Sequence, residues 1–227
     1  GSEVLEVLER KEKDKPHGLY IGKPIDGVEV RIIPPFNSYE HERPATIDEI
    51  EACGPHQVGE IAVKSSTTTQ RYYRNQQANQ KAKIWDNQDE VYWHRMGDLG
   101  LIDENGGLWY LGRTAHALKM DTGLLCSFSN ELPFNRMPEI HRSAMVKLNQ
   151  ESSPKAGLVF ELSKGQKWNE ELEDKIDDLL ASPEYQDIQH VYLCSSFPVD
   201  IRHNIKIDRP LLGEWAEKKK LKEVPLK

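Results

Sequence analysis

The sequence predicts an α+β fold, in which an antiparallel β-barrel-like subdomain is followed by a small α+β domain. Between residues 20 and 112, short segments alternate apolar and polar residues and are separated by turn-forming residues, which is typical of antiparallel strands. After Arg113 the pattern changes, and strand-like segments alternate with amphipathic helical ones. The predicted domains are therefore 1–112 and 113–227.

In the first domain, turn and start signals separate the alternating segments. Pro34-Pro35 ends the first clear strand, and Asn105-Gly106 predicts a hairpin turn because Asn-Gly readily supplies positive φ. Asn75 is a helix start signal. The predicted elements are strands at 28–33, 58–64, 91–93, 99–102 and 108–111, a helix at 75–83, a long surface loop at 36–56, and a helix-permissive segment at 3–17.

In the second domain, the clearest amphipathic pattern lies at 168–180, where Leu172, Ile176, Leu179 and Leu180 share one face. Ser129-Asn130-Glu131 predicts the start of a short helix. The remaining predicted elements are strands at 140–148, 157–162 and 189–194 and a final helix at 210–220 with a proline in its first turn.

Composition excludes several classes of function. The chain has 227 residues, of which 30% are charged, and a net charge of −7 with both signs interspersed, which argues against a nucleic-acid partner. No apolar run approaches the ~20 residues of a membrane span. The 3 cysteines are far apart, and the histidines lack the spacing of a metal site, so we predict a cytoplasmic protein without a metal ligand set.

Two residues near the domain boundary are candidates for nucleotide contact. Asp98 follows a glycine at the end of a strand, and its carboxylate can accept two hydrogen bonds from a vicinal diol such as a ribose. Arg113 also follows a glycine, and its guanidinium offers fixed donors to ribose or phosphate oxygens. The alternatives are an aspartate that caps a turn and an ordinary surface arginine.

A third candidate lies near the C-terminus, where Lys206 stands between two short apolar residues after the turn-forming segment 197–200. A solvated lysine on a turn is the alternative interpretation.

Together, the blocks at 93–100, 111–114 and 202–209 resemble, in this order, the C-terminal end of an adenylate-forming enzyme. This superfamily includes acyl-CoA synthetases, adenylation domains of peptide synthetases and luciferases. The resemblance covers roughly residues 18–217. The motifs Trp93-His94-Arg95-Met96-Gly97-Asp98 and Pro198-Val199-Asp200-Ile201-Arg202-His203-Asn204-Ile205-Lys206 resemble those of the fatty-acid-CoA-ligase-like branch that includes β-lactone synthetases.

The resemblance implies roles for the three candidates. Lys206 would be the catalytic lysine, whose ammonium stabilises the transition state in which a carboxylate attacks the α-phosphate of ATP. Asp98 would hold the ribose hydroxyls, and Arg113 would be a second nucleotide contact.

Further residues match weaker positions of the family. Arg113, Thr114 and Ala115 would form a hinge, although the family usually has Asp or Lys where this chain has Ala115, so we expect a smaller domain rotation. Lys119 and Glu131 would face the active site in a second conformation. An exposed loop lysine and a glutamate at a helix start are the alternatives for these two.

The resemblance also implies partners and cofactors. ATP and Mg²⁺ would serve the reaction, with coenzyme A as one acceptor and an internal hydroxyl as the other. Glu3 matches, at the edge of the chain, a glutamate near the family's magnesium site. The partners would be an N-terminal domain that supplies the phosphate loop and a fatty-acid-like substrate. Without that domain we expect no adenylation activity. A non-catalytic binding module with the same fold is the other hypothesis.

Overall fold

The computed structural model describes residues 18–35, 46–148, 155–200 and 206–225. The chain divides into two compact units, the first ending at Ala115 and the second beginning at His116. This division lies a few residues beyond the predicted boundary at Gly112-Arg113. The predictions for residues 3–17, and part of the predicted loop at 36–56, lie outside the described residues.

The first unit is built on one antiparallel sheet. Its elements are β1 (Leu19–Gly22), β2 (Val28–Ile33), a 3-10 turn (Ile47–Glu49), β3 (Gly59–Ser65), α1 (Gln76–Ala82), β4 (Lys83–Asp86), β5 (Val91–Ile102) and β6 (Leu108–Arg113). The strand order in the sheet is β1-β6-β5-β3-β2, and β4 pairs with β5. The pairing shifts register between β3 and β5 and between β5 and β6, and such bulges bend strands and increase their twist. The curled antiparallel sheet confirms the predicted fold class of this part.

The core of this unit lies on both sides of β3. One cluster is centred on the fully buried Trp93 of β5, and a second contains Ile61 of β3 and Leu108 of β6. Burial of a large apolar side chain contributes about 1.5–3 kcal/mol. These clusters fix β5, the strand that carries Asp98.

The second unit is a four-stranded mixed sheet with helices on both faces. The elements are β7 (Leu118–Met120), β8 (Gly123–Leu125), α2 (Ser127–Asn135), β9 (Ile140–Leu148), β10 (Lys155–Leu162), α3 (Glu170–Leu180), a 3-10 turn (Pro183–Tyr185), β11 (Ile188–Cys194), α4 (Arg209–Glu217) and β12 (Lys222–Val224). The strand order in the sheet is β12-β11-β10-β9, with β10 and β11 parallel and the other pairs antiparallel. A small hairpin of β7 and β8 precedes the sheet in the chain.

Alternation along the strands separates two cores in this unit. Met145 of β9 packs in one cluster with Phe134 of α2 and Leu172 of α3. Its neighbour Val146 packs in the other cluster with Leu212 of α4. Successive strand residues point to opposite faces, so α2 and α3 cover one face of the sheet and α4 covers the other.

Several predicted elements differ from the structure in extent. The predicted strands at 91–93 and 99–102 form one strand, β5, in which Gly97 adopts a φ of 69°. The helix predicted to begin at Ser129 begins at Ser127, and the final helix ends at Glu217 rather than at Lys220. These differences lie at the ends of elements and at Gly97, whose positive φ does not interrupt the strand.

Candidate functional site

Asp98 and Arg113 lie opposite each other on adjacent strands. Asp98 on β5 is in register with Arg113, the last residue of β6. Arg113 Nη1 lies 3.1 Å from Asp98 Oδ1, and the side chains are 56% and 19% exposed, respectively. Nη1 of Arg113 also donates a long hydrogen bond of 3.4 Å to the carbonyl of Met96. The pair therefore presents an accessible guanidinium above a mostly buried carboxylate.

The carboxylate of Asp98 retains capacity to accept a donor. Its Oδ1 atom is buried and, among the described residues, has no hydrogen-bond partner, because the contact with Arg113 is an ion pair without hydrogen-bond alignment. Burial raises the pKa of Asp98, and the charge of Arg113 partly opposes this shift. A buried acceptor without a donor is costly in a protein interior, and donors on a bound molecule would remove that cost.

The residues that precede Asp98 are structural supports. The Trp93 indole donates a 2.8 Å hydrogen bond to Asp86 Oδ2, and Arg95 donates to Glu60 Oε2 from Nη2 at 2.6 Å and from Nε at 3.1 Å. Both acceptors are buried. Sequence reasoning missed Glu60 and Asp86, although a lone acidic residue inside an apolar strand is a usable signal of a buried partner.

Lys206 lies on the second unit, where the backbones of residues 198–200 and 206–208 pair with each other. It is exposed, and no partner for its ammonium occurs within the described ranges. The backbone N–H of Asp200 donates to the Lys206 carbonyl at 2.9 Å, and the N–H of Asp208 donates to the Pro198 carbonyl at 2.8 Å. Val199 and Ile207 form an antiparallel bridge between the same two segments. The backbone of Lys206 is thus fixed, whereas its side chain is in solvent.

The other two candidates, Lys119 and Glu131, have contrasting environments. Lys119 is exposed on β7 of the small hairpin. Glu131 is buried within α2, and its oxygens pair with the Arg209 guanidinium at 2.5 and 2.8 Å. The glutamate therefore has a structural task in this conformation, and its predicted contact with a ligand stays a prediction.

The predicted hinge residues coincide with the end of the first unit. Thr114 and Ala115 lie in a 3-10 turn, Thr114–His116, and Ala115 is exposed. The first unit ends at Ala115. The role of this turn as a pivot stays a prediction.

Over the described ranges, no group of three or more His, Cys, Asp or Glu side chains is arranged to hold a metal ion. Glu3, the residue predicted to lie near a magnesium site, is outside those ranges. In the same part of the chain, every helix is too short or too polar to cross a bilayer.

Comparison with known sequences identifies relatives that are named synthetases. The chain is 34% identical over 209 residues to the olefin beta-lactone synthetase of Stenotrophomonas maltophilia, an alignment that covers 88% of this chain and 36% of that protein. It is 36% identical over 172 residues to the enzyme of the same name from Xanthomonas campestris, covering 73% of this chain and 31% of that protein. The chain thus spans about a third of the length of these curated relatives. No family model matches the sequence.

Solved structures with the same fold are adenylate-forming enzymes. ATP-bound MatB from Rhodopseudomonas palustris aligns with 90% of this chain and 36% of its own length, with a TM-score of 0.65 and 19% identity. O-succinylbenzoate coenzyme A synthetase from Bacillus subtilis in complex with AMP aligns with 88% of this chain and 36% of its own length, with a TM-score of 0.64 and 20% identity.

By fold, the chain is similar to adenylate-forming enzymes. By sequence, it is similar to olefin beta-lactone synthetases over most of its length. The predicted resemblance is thereby confirmed.

Proposed function

We propose that this chain is the C-terminal part of an ATP-dependent synthetase that adenylates a carboxylic acid. A carboxylate oxygen attacks the α-phosphorus of ATP, the bond to the β-phosphate oxygen breaks, and pyrophosphate leaves with the bonding electrons. The product is an acyl-AMP. The observation that carries the proposal is the Asp98–Arg113 pair, in which a buried carboxylate oxygen without a hydrogen-bond partner among the described residues lies beneath an exposed guanidinium.

This geometry suits a nucleotide sugar. The hydroxyls of a ribose are donors for the carboxylate of Asp98, and the five N–H donors of Arg113 match ribose or phosphate oxygens. Burial raises the pKa of Asp98 and so disfavours its ionised form, whereas donors from a bound ligand would favour the ionised form. Asp98 and Arg113 would bind and orient ATP.

Lys206 would supply positive charge where negative charge accumulates in the transition state. Its ammonium is exposed on a backbone held by hydrogen bonds, and among the described residues it has no salt bridge that a ligand would have to displace. Preorganised charges of this kind typically contribute ~10²–10³ in rate. The substrate would be a fatty acid or 3-hydroxy fatty acid, consistent with the name of the sequence relatives.

In the second step, the relatives' name supports lactone formation. The 3-hydroxyl oxygen of the acyl-AMP attacks the acyl carbon, the bond from that carbon to the phosphate oxygen breaks, AMP leaves, and the hydroxyl proton passes to solvent. This step needs no coenzyme A. Parallel assays of the complete synthetase with a 3-hydroxy acid alone and with added coenzyme A distinguish this product from a thioester.

The test of adenylation is ATP–pyrophosphate exchange by the complete synthetase that contains this chain. Lys206→Ala should lower exchange by about 10²–10³-fold without loss of the fold. Lys164→Ala, which removes another exposed lysine of the same unit, should leave exchange within about twofold. The 227-residue chain alone should show no exchange. Unchanged exchange in Lys206→Ala would contradict the assignment and support a non-catalytic module.

A further inference from the structure

The two segments that pair at Lys206, residues 197–200 and 206–209, each contact an ion pair of an arginine and a glutamate that is largely shielded from solvent. On the C-terminal side, Arg209 lies three positions after Lys206, and its Nη1 and Nη2 atoms reach the Glu131 carboxylate at 2.5 and 2.8 Å. On the N-terminal side, the N–H of Phe197 donates a 2.8 Å hydrogen bond to Glu161 Oε2. Arg142 pairs with the same carboxylate at 2.9 Å.

The pair of Glu131 and Arg209 is also fastened to the sheet. Glu131 Oε1 accepts the backbone N–H of Met145 on β9 at 2.8 Å, and Arg209 Nη1 donates to the carbonyl of Met145 at 3.0 Å. The two side chains are only 7% and 15% exposed. Arg209, the first residue of α4, is therefore held against Met145 of β9 both directly and through Glu131.

This constraint is transmitted to Lys206 over a short and rigid path. Asp208 caps α4 by accepting the Leu211 N–H at 3.1 Å, and its own N–H donates to the Pro198 carbonyl at 2.8 Å. The N–H of Asp200, in the same segment as Pro198, donates to the Lys206 carbonyl. These hydrogen bonds couple the start of α4 to Lys206, so a shift of Arg209 is expected to displace the Lys206 backbone.

Stability alone does not account for the pair. A buried ion pair repays its desolvation cost poorly, and apolar residues of similar volume are often as stable or more stable. In addition, the Nε atom of Arg209 is buried and, within the described residues, has no hydrogen-bond partner, which adds a further cost. A bidentate pair does, however, specify geometry more sharply than apolar contacts do.

We propose that Glu131 and Arg209 are positioning residues for Lys206, fixing the segment 206–209 on β9. This inference rests on the proposed function, because it assumes that Lys206 acts on the nucleotide. It gives Glu131 a role that the sequence resemblance does not assign, since the carboxylate would act through Arg209 rather than by touching a ligand.

The functional test is a double-mutant cycle in the complete synthetase, measured as ATP–pyrophosphate exchange. Glu131→Gln should lower exchange about 10–10²-fold, the range expected for misplacement of a reacting group by about 1 Å. In the Lys206→Ala background the same change should alter the residual exchange by less than about twofold, because the group being positioned is absent. Equal losses in both backgrounds would mean a merely structural role and would overturn the proposal.

Two further variants keep the test decisive. Arg209→Lys retains the charge but loses the bidentate geometry, and it replaces Glu131→Gln in the test if that variant does not fold. It too should lower exchange when Lys206 is present and change it little in the Lys206→Ala background. The matched control is Glu139→Gln, which breaks the 3.0 Å pair with Lys175 in the same unit and should leave exchange unchanged. A loss in the control equal to that in Glu131→Gln would also overturn the proposal.

Hydrogen exchange of backbone amides, which does not depend on catalysis, tests the anchoring by Glu131 and Arg209 separately from the proposed function. In the 227-residue chain, Glu131→Gln should lower the protection of the Asp208 amide against hydrogen exchange about tenfold or more, while Val159 in the middle of β10 keeps its protection. If Lys206→Ala leaves exchange of pyrophosphate intact but Asp208 loses protection in Glu131→Gln, the proposed function fails and the anchoring stands. Unchanged protection at Asp208 in the folded variant would refute the anchoring itself.

Discussion

The hydrogen bond from Trp93 to Asp86 fixes the strand that carries Asp98, and Trp93→Phe tests it. The indole donates to Asp86 Oδ2 at 2.8 Å, and both side chains are buried. This hydrogen bond, together with backbone donors from Asp89 and Gln88 and the Lys64 ammonium, lowers the pKa of Asp86 from 3.8 to about 2 against the opposing effect of burial.

The expected loss of unfolding free energy in Trp93→Phe follows from the pKa of Asp86. A carboxyl whose pKa is depressed from 3.8 to about 2 on folding contributes about 2 kcal/mol to the free energy of unfolding at neutral pH. Trp93→Phe removes the first of the donors and leaves a charged acceptor with fewer partners. Hydrogen bonds to charged groups are worth ~1.5–3 kcal/mol. We therefore expect a loss of about 2–3 kcal/mol at pH 7.

The sign of the pH dependence is fixed by the direction of the shift. Because the pKa in the folded state lies below that in the unfolded state, the stabilisation is complete above about pH 5 and is lost as the pH falls through about 2. The difference between wild type and Trp93→Phe should therefore narrow below pH 3. Urea unfolding followed by circular dichroism at pH 7 and at pH 2.5 measures both quantities.

A double-mutant cycle with Asp86→Asn isolates the pair. If the indole acts through the Asp86 carboxylate, Trp93→Phe costs at least about 1 kcal/mol less in the Asp86→Asn background than in wild type. Strict additivity of the two substitutions, or a loss at pH 2.5 as large as that at pH 7, would refute the reasoning.

Two further predictions concern packing, and each has a matched control measured by the same urea unfolding. Gly100→Ala would place a Cβ 2.6 Å from the Trp109 carbonyl and should lower the free energy of unfolding by ~1–3 kcal/mol. In the control Gly54→Ala, the new Cβ meets nothing closer than 3.6 Å, and the free energy of unfolding should change by less than ~0.5 kcal/mol. Equal changes in the two variants would contradict the clash. Phe160→Ala empties a fully buried position and should lower the free energy of unfolding by ~3–5 kcal/mol. The control Tyr73→Ala changes a residue that is 84% exposed and should lower it by less than ~0.5 kcal/mol. A similarly small decrease for Phe160→Ala would contradict the prediction and would mean that neighbouring core residues fill the cavity.

Long periodic segments were predictable from the sequence. Strands 28–33 and 140–148 have the bounds expected from their alternating patterns, and Leu172 and Ile176 are buried on the predicted face of α3. These segments carry enough alternating or helical repeats for the pattern to be decisive.

Short strands could not be predicted in the same way. Examples are β4 at 83–86 and β12 at 222–224, which follow directly on helical or charged residues. Lys83 was expected to end a helix, yet it begins a strand because β4 pairs with β5 from His94 to Val91. Such pairing depends on distant residues, which local periodicity does not contain.

Which residues act at the candidate site stays a prediction, whereas the placement of two of them in the sheet could be derived from the sequence. The register that brings Asp98 opposite Arg113 follows from two strands joined by the predicted hairpin turn at Asn105-Gly106. The partner of Glu131 could not be found in this way, since Arg209 lies 78 positions away in the sequence. An arginine beside the capping Asp208 gives no local sign that its guanidinium is buried.

The end of the first unit at Ala115 has a consequence for how such enzymes diversify. Each hydrophobic cluster of the described residues draws its members from one side of that point only. Substitutions that reshape the interior of one half therefore require no compensating changes in the other half. Recombination at this junction would exchange one whole unit between related chains while each unit keeps an intact interior.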